Sequence, residues 1–330
     1  MQFIAFRYRQ QEDFVILLST ARQPQRGRRL FSFNDHKGTN MRALLALCCA
    51  VALGGCAIVI NPNDGDVRYS TDSGGKAVEG NQQLSRDTRA IGNATTLDVG
   101  GLTGTNARID VRVGPASSLV IEADSNLLPL IQSEVSGNTL RIWSDANLRR
   151  ASDIHIIYTT PHLLKISTLS GGRLVASGFN GDDLTLVQHG SMKSELSGKV
   201  GRLDVANYGS GSINAAGLVS GNSDAVQNGS GRIHLGQVRG ERVNVAVNGS
   251  GSISASGSVQ RLDANVNGSG DINLAPLSSD IAYLSSNGSG DIDATATGEV
   301  NARASGSGRI TVHGAPAKRT LSGNRVRVVQ

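Results

Sequence analysis

The chain has 330 residues, 41 of them glycine, and only 4% are aromatic. Its net charge of +5 comes entirely from the N-terminal end: residues 1–55 carry 8 Lys/Arg and 3 Asp/Glu, whereas the rest carries 24 of each. A neutral body without aromatics interleaved among basic residues argues against a nucleic-acid partner, and confinement of all three cysteines to Cys48, Cys49 and Cys56 leaves the rest no disulfide framework, CxxC pair or thiol nucleophile.

Residues 1–40 fit no targeting pattern and read as a non-structural extension or as sequence upstream of a true start at Met41. From Met41, Arg42 supplies a positive n-region and residues 43–53 an apolar run of signal-peptide length. That run is shorter than the roughly 20 residues of a membrane-spanning helix. It ends in Leu53-Gly54-Gly55-Cys56, which resembles the lipobox of bacterial lipoproteins. The resemblance implies that 41–55 is a signal peptide, cleaved before Cys56, and that Cys56 is then lipidated. An ordinary signal peptide with an incidental cysteine is the other reading. Ala57, where an inner-membrane retention signal would place Asp, resembles outer-membrane sorting in a Gram-negative cell, with the protein periplasmic or surface-exposed. Residues 56–92, rich in Asn, Asp, Gly, Ser and Gln, read as the lipidated cysteine and a flexible tether.

Strand texture begins at about residue 93. "ARIDVRVG", "SSLVIEAD", "TLRIWSD" and "DIHIIYTTP" alternate apolar and polar residues, and "NLLPLIQSEV" predicts a helical turn with Pro129 near its start. Residues 93–163 lack the period that follows and read as an irregular N-terminal β cap.

From 164 to 330 the chain repeats. The first Gly of each G-S-G is Gly209, Gly229, Gly249, Gly268, Gly288 and Gly306, at intervals of 20, 20, 19, 20 and 18, and two degenerate copies precede them. Four residues on stand Ile213, Ile233, Ile253, Ile272, Ile292 and Ile310, and just before the glycine Asn228, Asn248, Asn267 and Asn287. Each unit reads as two short alternating strands joined through G-S-G. A hairpin array would use each Asn-Gly as a turn. A parallel solenoid would stack Asn on Asn and Ile on Ile at about 4.8 Å per rung, with glycines as corners. Like residues at fixed phase favour the solenoid, a rod on the order of 35 Å over eight rungs. Arg325 and Arg327 in the last strand would discourage end-to-end pairing.

These repeats, following "TLDV", "ARIDVRVG" and "TTPHLLKISTLSGG", resemble the head GIN domain family of auto-transporter adhesins, a domain of unknown function, over roughly 93–330. The resemblance implies an all-β, right-handed parallel β-helix similar to the pectin-lyase superfamily, adhesive rather than catalytic.

Two surfaces merit a functional reading. Asp271, Asn273, Asp291 and Asp293 flank successive ladder isoleucines and form a candidate Ca²⁺ site or, alternatively, a solvated acidic patch relieved by Arg309. Asp204, Asp224, Asn244, Asp263, Tyr283 and Asn301 share one outward phase and form a candidate strip for carbohydrate or another envelope protein, or an inert soluble face. The histidines fall at different phases and read as solvated, with His155 facing out. No catalytic residue or obligate cofactor is indicated. The sequence thus reads as a lipid-anchored, non-catalytic envelope protein that binds a surface or has a structural role. A polysaccharide lyase or hydrolase on the same scaffold, and a periplasmic partner of an envelope-stress regulator, are the alternatives.

Overall fold

A computed structural model of the chain describes residues 3–8, 14–19, 77–102, 106–149 and 151–329. It divides into two compact units, Met1–Thr71 and Asp72–Gln330. In the first, β1 (Phe3–Tyr8) and β2 (Phe14–Ser19) pair antiparallel, Phe3 opposite Ser19 and Tyr8 opposite Phe14. Both segments are rich in β-branched and aromatic residues that suit a pleated surface, so part of the stretch read as non-structural carries a hairpin. The lipobox residues Leu53, Gly54, Gly55 and Cys56 lie outside the described residues.

The second unit is a parallel β-solenoid. Its repeats are β12 (Lys165–Leu169), β13 (Arg173–Asn180), β14 (Leu184–Gly190), β15 (Lys193–Gly209), β16 (Ser212–Gly229), β17 (Arg232–Gly249), β18 (Ser252–Gly268), β19 (Asp271–Gly288), β20 (Ile292–Gly306), β21 (Ile310–His313), β22 (Lys318–Ser322) and β23 (Val326–Val329). Like residues stack as the period predicts: Ile213, Ile233, Ile253, Ile272, Ile292 and Ile310 are register partners in one buried column. Unequal repeat lengths are absorbed at bulges, most of them just after this column and others near Ser220/Ser223 and Ser279/Ile281. Between β17 and β18 the pairing offset is 20 residues at Ile233/Ile253 and 19 at Gln237/Ser256, across a bulge. Each long strand therefore bends through bulges without breaking, and only G-S-G interrupts it.

The two glycines of G-S-G do different work. Gly249 has φ +124°, and its carbonyl accepts from Ser269 and Gly270 of the next rung. Gly251 has no such dihedral; a Cβ there would lie 2.5 Å from the Gly231 carbonyl and 2.6 Å from Gln227 Cγ. The first glycine makes the corner and the second keeps its inner wall thin.

The segment read as a cap contains two rungs of its own: β5 (Thr96–Gly100), β6 (Ala107–Val113), β9 (Thr139–Trp143) and β11 (Ile154–Thr160) lie in parallel register with the repeats. Strand β5 sits between β9 and β12, and β6 between β11 and β13. The chain thus enters one rung inside, moves outward, and returns to start the repeats. That order hides the period from a linear search. The outer rung is closed by antiparallel strands: β7 (Ser118–Asp124) pairs with β11, β8 (Gln132–Ser136) with β9, and β4 (Leu84–Arg89) with β7. Between β7 and β8 lies a 3₁₀ turn, Leu128–Leu130, containing Pro129. Strands β3 (Ala77–Glu79) and β10 (Asn147–Arg149) pair in parallel. β3 and β4 fall inside 56–92, so the stretch read as tether ends earlier than its polar composition indicates. The free edge of β7 recruits a sequence whose own apolar content is low.

Candidate functional site

The stretch of each rung that leads into G-S-G carries the outward column. Asp204, Asp224, Asn244, Asp263, Tyr283 and Asn301 are successive register partners, one per rung from β15 to β20. Their neighbours two residues back point the same way, because side chains alternate along a strand. Arg202 donates to Asp204 at 2.8 Å and also pairs with Asp224 of the next rung. Arg261 donates to Asp263 at 2.7 Å and lies 4.4 Å over the Tyr283 ring. The hydrogen bond to Asp204 and the charges of Asp224 and Asp204 push the Arg202 guanidinium further up, and the Asp263 hydrogen bond does the same for Arg261. Paired carboxylates and guanidiniums alternate with Asn244 and Asn301, both exposed and neutral.

Beside this column runs the amide ladder. Asn248 Nδ2 donates to Asn228 Oδ1 at 2.8 Å, Asn267 to Asn248 at 3.1 Å and Asn287 to Asn267 at 3.3 Å. At its lower end Tyr208 stacks on His189 with ring centroids 4.9 Å apart, and Tyr208 is 42% exposed. Burial lowers the His189 pKa, which favours the neutral ring. His189 is thus half-buried beneath a stacked Tyr208.

The acidic group on the other outward face is tied into the backbone of the neighbouring rungs. Asp271 Oδ1 accepts the Asp291 backbone N–H at 3.0 Å, and Asp291 Oδ1 accepts that of Arg309 at 2.7 Å. Asn273 and Asp293 are register partners, and Asn273 Oδ1 accepts from the Ala275 backbone at 3.3 Å. Arg309 Nη1 lies 3.8 Å from Asp291. These oxygens bridge rungs and tie down their own backbone. Among the described residues no group of three or more His, Cys, Asp or Glu is placed to hold a metal ion.

Two polar groups escape a search by sequence. Gln188, Asn207 and Gln227 are fully buried in one inward column. Gln188 Nε2 donates to Met192 O at 2.8 Å and Asn207 Oδ1 at 3.2 Å, and Asn207 Nδ2 to Gly211 O at 2.9 Å and Gln227 Oε1 at 2.8 Å. Their signal was polar residues at the inward phase, two before the first glycine. The second group centres on His155, which is not simply outward. Its Nε2 lies 2.7 Å from Asp110 and its Nδ1 3.2 Å from Glu122, linking β6, β11 and β7. Arg108 and Arg86 flank the two carboxylates. The three strands meet only through topology, so no local spacing announces the cluster.

A stacked parallel β scaffold with one outward column in continuous register places the chain in the β-solenoid class of repeat proteins. The chain belongs to the family described as "Putative auto-transporter adhesin, head GIN domain", which matches residues 103–236 and again 220–316. Three solved structures resemble it. A "putative lipid binding protein" from Parabacteroides distasonis ATCC 8503 shares 22% identity with a TM-score of 0.58, over 77% of this chain and 100% of that one. A "putative adhesin" from Parabacteroides merdae ATCC 43184 shares 18% with a TM-score of 0.59, over 77% and 99%. A second from P. distasonis shares 19% with a TM-score of 0.57, over 77% and 100%. At these identities the likeness shows the fold alone. The comparison with curated proteins finds no match.

Proposed function

We propose that this is a non-catalytic envelope protein, held to the outer membrane by a lipid on Cys56, that binds a polar partner along its outward column. The observation that carries the reading is the unbroken register from Asp204 through Asp224, Asn244, Asp263 and Tyr283 to Asn301. Hydrogen-bonding groups repeat there at the rung spacing of about 4.8 Å. A rigid row of this kind suits many weak contacts to a glycan or to another envelope protein. The adhesin description of the family supports a surface role. One oxygen each of Asp271 and Asp291 holds a backbone N–H of the next rung, which supports a structural role for the acidic patch.

The test is saturation binding of the full chain, with Cys56→Ser to release it from the membrane, to isolated envelopes. Asn244→Arg together with Asn301→Arg is expected to weaken binding at least tenfold. Asn273→Arg, exposed on the other face, should leave it unchanged. Equal binding by all three proteins would remove the column from the function.

A further inference from the structure

The two ends of the solenoid are finished differently. At the N-terminal end antiparallel strands β4, β7 and β8 close the outer rung. At the C-terminal end β22 pairs with β20 and β23 with β21, and among the described residues neither has a strand on its outer edge. A row of backbone N–H and C=O groups is therefore presented for pairing. Core positions continue into this last rung without cover. Leu321 lies over buried Ala302, and Val326 and Val328 lie over buried Ile310 and Val312, yet Leu321 is 43% exposed.

The charge of this rung is one-sided. Residues 309–330 contain Arg309, Lys318, Arg319, Arg325 and Arg327 and no Asp or Glu. Three of these are engaged: Arg309 with Asp291, Lys318 with Glu299 at 3.0 Å, and Arg319 with the Pro316 carbonyl at 2.9 Å. Arg325 and Arg327 make no ion pair among the described residues. Arg327 stands over outward Thr311, while Val326 and Val328 beside it continue the inward columns. The edge therefore offers a fixed alternation of cation outward and aliphatic inward.

We propose that the β22–β23 edge accepts an extended acidic segment of a partner protein as one further rung. Its aliphatic side chains would cover Val326, Val328 and Leu321, and carboxylates two residues apart would meet Arg325 and Arg327. A second copy of this chain is the poorer occupant, since identical basic edges repel. A lipid headgroup could answer the charge but would leave the row of backbone donors and acceptors unpaired. Strand addition answers both. Asn301 of the outward column pairs with Thr320 of β22, so the two surfaces adjoin, but Arg327 stands beside β21 and the two proposals are tested at different residues.

Fluorescence anisotropy with two labelled octapeptides, alternating Glu-Val and alternating Lys-Val, tests the idea on the full chain. The acidic peptide should bind and the basic one should not. Arg325→Glu with Arg327→Glu, shown folded by circular dichroism, should weaken the acidic peptide at least tenfold and gain binding of the basic one. Indifference of the wild type to peptide charge, or unchanged acidic binding by the variant, overturns the proposal. So does concentration-dependent dimerisation abolished by the same variant, which would assign the edge to a second copy. Binding to phosphatidylglycerol vesicles that the acidic peptide fails to displace would assign it to lipid, and also overturns the proposal.

Discussion

Gly251 shows how closely one atom is specified. A methyl group there would meet both the Gly231 carbonyl and the Gln227 side chain, so Gly251→Ala should cost about 1–3 kcal/mol through overpacking. Gly92, with nothing within 4 Å of a built Cβ, is the control, and its alanine variant should stay within about 0.5 kcal/mol in urea denaturation. The inward amides make a second residue-scale prediction. Asn207→Val copies the residue type found at Val247 and Val266 in later rungs, but leaves the buried Gln227 Oε1 without its donor, while Gln188 keeps Met192 O and Ser194 Oγ as partners. It should cost about 1–3 kcal/mol, the penalty for leaving buried polar groups unpaired. Replacing all three by Val should cost less than the sum of the single changes. Met192 O, Gly211 O and Gly209 O each still accept a backbone N–H from the next rung. Additive losses across the series would contradict a coupled column. The exposed Asn ladder is legible because identical residues recur; the buried one is not, because Gln188, Asn207 and Gln227 differ and give way to Val247 in the next rung.

At the scale of elements, His155 ties β11 to β6 and β7 through Asp110 and Glu122. A neutral imidazole has one N–H, so only the imidazolium donates to both carboxylates. Burial raises the Asp110 pKa, but the hydrogen bonds from His155 and Arg108 and their charges outweigh it and hold the group below its usual range. A carboxyl depressed in the folded state contributes stability that is complete above its unfolded pKa of roughly 3.9 and is lost as pH falls through the folded value. Asp110→Asn should therefore cost about 1–3 kcal/mol at pH 7, and the gap to wild type should close below about pH 4. A gap that persists undiminished at pH 2.5 would show that packing, not charge, sets the loss. The strands of this region were legible from their alternation, whereas their order was not. Placing β5 between β9 and β12 depends on a chain that runs outward and then doubles back, and no local pattern encodes that.

At the scale of the solenoid unit, fold and candidate site stand unequally in the sequence. A period near twenty with Ile and Asn at fixed phase dictates stacking, because a shift of register would misalign every column at once. The same period places Asp204 to Asn301 on one line, as the register shows. What it could not supply was the pairing of Arg202 across two rungs, or the internal use of Asp271 and Asp291 as backbone acceptors. Those depend on side-chain reach, which periodicity does not measure.

Photocrosslinking in intact cells tests most directly the proposed contact between the outward column and an envelope partner, with a photoreactive side chain placed in turn at Asn244 and at Asn273. A discrete adduct is expected from position 244 that disappears when Asn301→Arg is added, and none from position 273. No adduct at 244, or the same adducts from both positions, would contradict it.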